Sequence, residues 1–452
     1  MFMPYVPEAE NKVTRIVTLG DGENVFSTPF AVSESESRYS RNLTGDGYPA
    51  LQTRAGRAEA FTAITTPNAL GVRDNQYPHV LDGTTWKRWN GTAWVNVQTG
   101  LANAQAKIIE FATGTTLYNI LADGTNVYSW DGSSATDLTE APETNLYTAH
   151  KGRVYGLKGK VLYFSALNLI TDWTTANDAG QVSITRAKGD GTAITTYDNH
   201  VCVYTDYSFH ELYGTGPHNY ELVDVSENGC ISNRTLVEVI GNTGGLFWLD
   251  YDGFYRYVGG KPQRTSDKVK TYIEGINLTY KTKCCAGKSG RKIYLSIPYG
   301  TATENNLILM YDTELEKWYP QTGDIVDFVN IGEILYGIDS SGQIWDMENG
   351  TLSGDWSFIS GAREKQITRD KKTLTEIWVN FYLPQRSTLK FSTSTSVDKD
   401  DFIEQASFDA SDEPQTERVL VDMKESNSYR VKFEGENECT VYSIEEIFRV
   451  RK

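Results

Sequence analysis

Short apolar runs broken by polar turns dominate the chain, and no stretch keeps a helical period for long. In residues 244–269, Leu246-Phe247-Trp248-Leu249 and Phe254-Tyr255-Arg256-Tyr257-Val258 flank Asp250-Tyr251-Asp252-Gly253. An Asp-Gly step between two aromatic runs signals a hairpin, and Gly253 is expected at a positive-φ turn position. Gly259-Gly260-Lys261-Pro262 supplies a second turn, followed by a polar return over 264–269. A single hairpin of this kind cannot bury its apolar faces, so the unit needs neighbours on both sides.

The unit recurs. Residues 81–89 (LDGTTWKRW) and 121–130 (LADGTNVYSW) each place Asp-Gly before an aromatic strand, at a spacing typical of propeller repeats. Residues 151–164, 200–213, 291–297 with 306–311, and 332–345 repeat strand, polar turn, strand. The pattern predicts an all-β chain whose main body is a β-propeller of about six to eight four-stranded blades. From Lys372 the alternation becomes longer. Ile377, Val379, Phe381 and Leu383 share one face and Trp378, Asn380 and Tyr382 the other, with Leu389/Phe391, Tyr429/Val431/Phe433 and Tyr442/Ile444 continuing it. That reads as a C-terminal antiparallel β-sandwich-like domain. The expected division is an N-terminal arm over 1–50, the propeller over 51–360 and the sandwich over 361–452.

Composition narrows the function classes. The 59 acidic and 43 basic residues give a net charge of −16, the wrong sign for a surface that grips nucleic acid. Five scattered cysteines, of which Cys284 and Cys285 are adjacent, have no metal-site spacing and read as reduced thiols. Met1–Tyr5 carries no basic segment leading into an apolar core, and no apolar run approaches the ~18 residues of a membrane span, so neither a signal peptide nor a membrane partner is expected. Arg41, Arg54 and Arg57 cluster near the start of the repeats. As candidate partner contacts they can hold a partner's carboxylates in bidentate pairs; a solvated basic face is the competing reading.

Catalytic signatures do not emerge. His79, His150, His200, His210 and His218 lack the spacing of a metal site, and Asp250/Asp252 start a calcium-like D-x-D-G whose later positions, Phe254, Tyr255 and Tyr257, are not oxygen donors. Asp82-Gly83-Thr84-Thr85-Trp86 misses the sialidase turn S-x-D-x-G-x-T-W, because here Asp and Gly are adjacent. No G-x-S-x-G elbow occurs. No catalytic residue, metal or cofactor is expected, and the chain is read as a non-enzyme.

Residues 192–350 resemble the β-propeller tail proteins of bacteriophages, described as packaged-DNA stabilisation, tail-hub or nozzle proteins. The resemblance rests on segments in order: 192–214 (TAITTYDNHVCVYTDYSFHELYG), Glu227-Asn228-Gly229-Cys230-Ile231-Ser232, the 248–257 hairpin, Ser266-Asp267-Lys268-Val269, 294–297, 306–318 (NLILMYDTELEKW) and 335–345. The opening 42–57, with Tyr48-Pro49 and Arg54-Ala55-Gly56-Arg57, is similar to the start of such proteins. The resemblance implies a virion structural protein, made in the host cytoplasm and located in the tail or neck. It implies a homo-oligomeric ring, a hexamer, that contacts portal, adaptor and other tail proteins, helps retain packaged DNA and lets it pass on ejection without reading its sequence. The alternative is a carbohydrate-binding or glycan-cleaving propeller with an accessory sugar-binding sandwich, favoured by the many Tyr and Trp residues.

Overall fold

The computed structural model describes residues 10–114, 116–365, 370–397, 399–411 and 413–451. Among them, seven four-stranded antiparallel sheets follow one another along the chain. The first is built from Pro67–Arg73, Tyr77–Asp82, Thr85–Trp89 and Trp94–Thr99, and each later sheet repeats this meander. First strands of neighbouring sheets lie side by side: Pro67–Arg73 against Lys107–Thr113, then Tyr147–His150, then Gly191–Tyr197. The short turn Asn233–Thr235 bridges to Val237–Val239, after which come Cys285–Ser289 and Ile325–Ile331. Ile325–Ile331 returns to Pro67–Arg73 and closes the ring, so the main body is a β-propeller.

Closure is sealed by a strand from far upstream. Ile325–Ile331, Ile334–Asp339 and Ile344–Gly350 take Gly56–Phe61 as their fourth strand, with Ile344 opposite Phe61 and Gly350 opposite Gly56. Aromatic and aliphatic side chains fill the space between sheets. Leu81, Trp86, Ile108, Leu121 and Trp130 pack between the first and second, and Tyr204, Phe209, Trp248 and Tyr257 between the fourth and fifth. Trp248 is fully buried and donates its indole N–H to the Gly229 carbonyl at 2.8 Å, as a buried indole must.

The recurrent aspartate has a structural task. At the turn between second and third strands, Asp82 Oδ1 accepts the Thr65 and Thr66 amides at 3.0 and 2.8 Å. Asp123 accepts the Thr125, Asn126 and Ala102 amides, and Asp339 accepts the Ser341 and Gln343 amides together with the Trp345 indole N–H. These carboxylates satisfy turn amides that the ladders leave over. Gly83 and Gly124 carry φ of 57° and 94°, as the Asp-Gly turns require. Gly253 does not. In its turn the Asp250 amide donates to the Gly253 carbonyl at 2.9 Å, and Gly253 lies outside the positive-φ set. Its missing side chain matters for space: a Cβ there would sit 2.4 Å from Arg264 Cδ and 3.1 Å from Ser266 Oγ.

Two larger sheets form the second body. Leu43–Thr44, Leu51–Thr53, Thr440–Arg451, Lys371–Tyr382 and Gln415–Leu420 make one, with Glu10–Ile16 also paired to Thr440–Arg451. The other runs Ser37–Arg41, Asp355–Ser360, Arg430–Glu436, Thr388–Ser394, Ile403–Asp409. Phe358, Phe381, Phe391, Phe433, Ile444 and Phe448 of the two sheets share one apolar cluster. Ile377, Val379, Phe381 and Leu383 are all buried, as their alternation predicts.

The expected division differs from this pairing. Residues 1–9 lie outside the described residues, but 10–53 are woven into both large sheets and do not form a free arm. Leu51–Thr53 and Asp355–Ser360, expected within the propeller, also belong to the second body. The reason is physical: Ser37-Arg38-Tyr39-Ser40-Arg41 supplies one strand to a sheet whose other members come some three hundred residues later, and its polar sequence carries no local trace of them.

Candidate functional site

The three arginines singled out in the sequence lie at the seam between propeller and second body. Arg41 ends the strand Ser37–Arg41 and donates from Nη1 to the Tyr272 hydroxyl at 3.0 Å and to the Ser40 carbonyl at 2.8 Å. Its guanidinium carbon stands 4.5 Å from the centroid of the Tyr39 ring. Tyr272, from the short helix Lys270–Glu274, donates its hydroxyl to Glu23 at 2.6 Å, and Glu23 also accepts the Ser40 hydroxyl at 2.8 Å. Glu23 is 1% exposed. Burial raises its carboxyl above the usual range, against the pull of Tyr272 and Arg41.

Asn42 is the hub beside it. At φ 58°, its Oδ1 accepts Arg54 Nε at 3.1 Å and the Thr322 amide at 3.0 Å, while Nδ2 donates to the Asp355 carbonyl at 2.7 Å. One amide side chain thus ties a propeller strand, Lys317–Thr322, to the strand Asp355–Ser360 and to Arg54, just past Leu51–Thr53. Arg57, on the closing strand Gly56–Phe61, donates to the Thr322 carbonyl at 2.9 Å. Its guanidinium crowds Gly323, where a Cβ would stand 2.3 Å from Nη2 and 2.9 Å from Nη1. Burial and the like charge of Arg57 push Arg54 down to about 10. All three arginines are half-buried, and these donors are spent on the chain's own groups. Arg54 and Arg57 come together, with Arg41 joined through Asn42 and Tyr272.

Arg41 also lines a cleft of about 760 Å³ over the five-stranded sheet, with Tyr39, Thr388, Lys390, Lys432 and Glu434. Cations and carboxylates are interspersed: Lys432 pairs with Glu434 at 2.7 Å, and Arg430 lies 4.8 Å over Phe402. A mixed lining of this kind offers both donors and acceptors but no field that would attract a polyanion.

Two of the histidines, His79 and His210, are buried among the chain's own groups. His79 is fully buried; its Nδ1 accepts the Trp86 indole N–H at 3.1 Å, and burial, with Arg73 and Arg88 nearby, pushes its pKa down to about 3. One arrangement was not visible in the sequence. Ser208 Oγ lies 2.8 Å from His210 Nε2, and His210 Nδ1 lies 2.8 Å from Asp224 Oδ1. The order Ser–His–Asp is that of a nucleophilic triad, but Ser208 is 4% exposed and its oxygen also accepts the Lys188 amide and meets the Thr205 hydroxyl. A nucleophile must reach substrate, and this one is walled in. Ser208 and His210 are close in sequence, while Asp224 joins from the adjacent strand Glu221–Ser226, so no linear spacing could have signalled it. Among the described residues no group of three His, Cys, Asp or Glu side chains is placed to hold a metal ion. No helix among them is long and apolar enough to cross a membrane.

No family model and no curated protein matches the chain. Solved structures show remote likenesses. Streptogramin B lyase shares 10% identity at a TM-score of 0.44, over 65% of this chain and 97% of that one. BamB from Moraxella catarrhalis shares 10% at 0.40, over 68% and 94%. The extracellular domain of a putative one-component system from B. thetaiotaomicron shares 10% at 0.46; the match covers 77% of this chain and about half of that one. Nothing about activity transfers at such distances.

Proposed function

We propose that the chain is a structural protein of a bacteriophage tail or neck, a seven-bladed propeller with a sandwich woven from both chain ends. Identical copies assemble into a ring that helps retain packaged DNA and forms part of its exit path, next to portal, adaptor and other tail proteins. The observation that carries this reading is the footprint of the tail-protein resemblance. Residues 192–350 span the fourth to seventh sheets, from Gly191–Tyr197 to Ile344–Gly350. Most of the quoted segments fall on strands and turns of those sheets. The likeness is therefore one of blades in succession, not of a site.

A single copy offers no passage for DNA in this account. Arg234 crosses the propeller axis and donates to the Val326 carbonyl at 2.9 Å and to Asn68, from the seventh and first sheets. A duplex about 20 Å across, consistent with its groove dimensions, needs an opening between copies. A second reading, carbohydrate binding by the sandwich, is favoured by the cleft in which Tyr39, 38% exposed, stands beside mixed polar groups. Quantitative mass spectrometry of purified particles separates the two. The structural reading expects the chain in every virion at a fixed copy number matching one ring. Absence from particles, together with saturable glycan binding by the isolated chain, would replace it with the second.

A further inference from the structure

The starts of the propeller's first strands surround a cavity of about 230 Å³ at one mouth of the axis. Lys107, Arg234 and Lys281 line it, and no carboxylate does, in a chain with a net charge of −16. The local excess of cations therefore runs against the composition.

Two of the three cations are engaged. Arg234 bonds the Val326, Asn68 and Ala106 carbonyls and lies 3.9 Å from Asp327. Lys281 meets the Tyr251 hydroxyl and Asp206. Lys107 Nζ has neither a hydrogen bond nor an ion pair among the described residues. Thr192, which lines the same cavity, buries its Oγ1 with no partner. A hydroxyl withdrawn from water without a partner is unfavourable, and one acceptor group between it and the half-buried Lys107 ammonium would satisfy it. Counting Asp327 and Asp206 against the three cations leaves one positive charge uncompensated. Burial and Arg234 hold the Lys107 ammonium below its usual pKa, opposed by Asp327, the direction an anion in the cavity would reverse.

We propose that this cavity binds a single oxyanion group, a carboxylate or a phosphate, held by the Lys107 ammonium and the Thr192 hydroxyl. Its size suits a free inorganic ion, a small organic acid or one acidic side chain of a partner inserted at the axis, and is too small for a nucleotide. The inference does not depend on the assembly reading, since it uses only groups within one chain.

Isothermal titration of the full chain with inorganic phosphate, and separately with acetate, at constant ionic strength against chloride, tests it. Saturable binding of at least one of the two is expected, one per chain. Lys107→Met should weaken it at least tenfold and Thr192→Val severalfold. Phosphate alone binding marks a phosphate site; acetate alone marks a carboxylate site that a partner's Asp or Glu could occupy. No saturable binding of either ion, or unchanged affinity in Lys107→Met, overturns the proposal. Should Lys107→Met fail to fold, Thr192→Val alters no charge, and full affinity there is equally contrary.

Discussion

The propeller and the second body each hold an arginine at a junction of strands, and they pair it by opposite means. Arg234 reaches across the axis to the Val326 and Asn68 carbonyls of two sheets and to Ala106 just before a third, with Asp327 no nearer than 3.9 Å. Arg363, 2% exposed, meets the fully buried Glu446; Lys365 lies 3.0 Å from that carboxylate and 2.6 Å from Glu34, and Tyr429 donates to it at 2.9 Å. Neutral main-chain acceptors hold the first. A cluster of full charges holds the second, drawing on Glu34 near one end of the chain and Glu446 near the other. The contrast follows the topology. Blades are local hairpins that need only a rivet, whereas the two larger sheets must bring distant segments into one register, and buried charge penalises any other arrangement.

That contrast can be broken at either arginine. The largest effect is expected from Glu446→Gln, which leaves Arg363 and Lys365 buried without their countercharge. A loss of about 4 kcal/mol in denaturant unfolding is predicted, against less than about 1 kcal/mol if the cluster were solvated. Arg234→Met should come next, at about 3 kcal/mol, because it removes the donors that tie the Val326, Asn68 and Ala106 carbonyls together and the guanidinium beside Asp327. A Tm unchanged in that variant would mean that the ring closes without its axial rivet.

Acid sharpens the comparison further. His79 titrates near 3 in the fold and about 6.5 when unfolded, so the unfolded chain takes up the proton first. Its contribution is complete above pH 6.5 and is lost as pH falls toward 3, about 2 kcal/mol by pH 5. His79→Asn, which keeps an acceptor for the Trp86 indole, should flatten that slope; an equally steep slope in the variant would place the acid sensitivity elsewhere. Smallest is Gly253→Val, about 1 kcal/mol, since the new side chain must displace Arg264 and Ser266. Recovery of stability on trimming Arg264 to Ala would confirm crowding as the cause.

What the sequence made legible follows the same divide. The Asp-Gly turns and aromatic runs announced the propeller's sheets because each sheet is nearly contiguous in the chain. The closing strand Gly56–Phe61 stayed hidden: it lies at a sheet edge, mostly half-exposed, and shows no clean alternation. Ser37–Arg41 was hidden for the same reason. Arg41, Arg54 and Arg57 were recognisable as a cluster, but residue type does not reveal which donors are already used, and Tyr272, Asn42 and Thr322 use them here. Arg234 gave no signal at all, since its partners are carbonyls, which every residue has.

The central claim is assembly, and the oligomer tests it most directly. Light scattering combined with electron microscopy of the purified chain and of intact particles should find a closed ring of six copies. Its axial opening should admit a duplex about 20 Å across and be faced mainly by Asp and Glu, because a basic lining would hold one phosphate per ~1.7 Å of duplex at every step. A monomer within assembled virions, or an opening lined by Lys and Arg, would contradict the account.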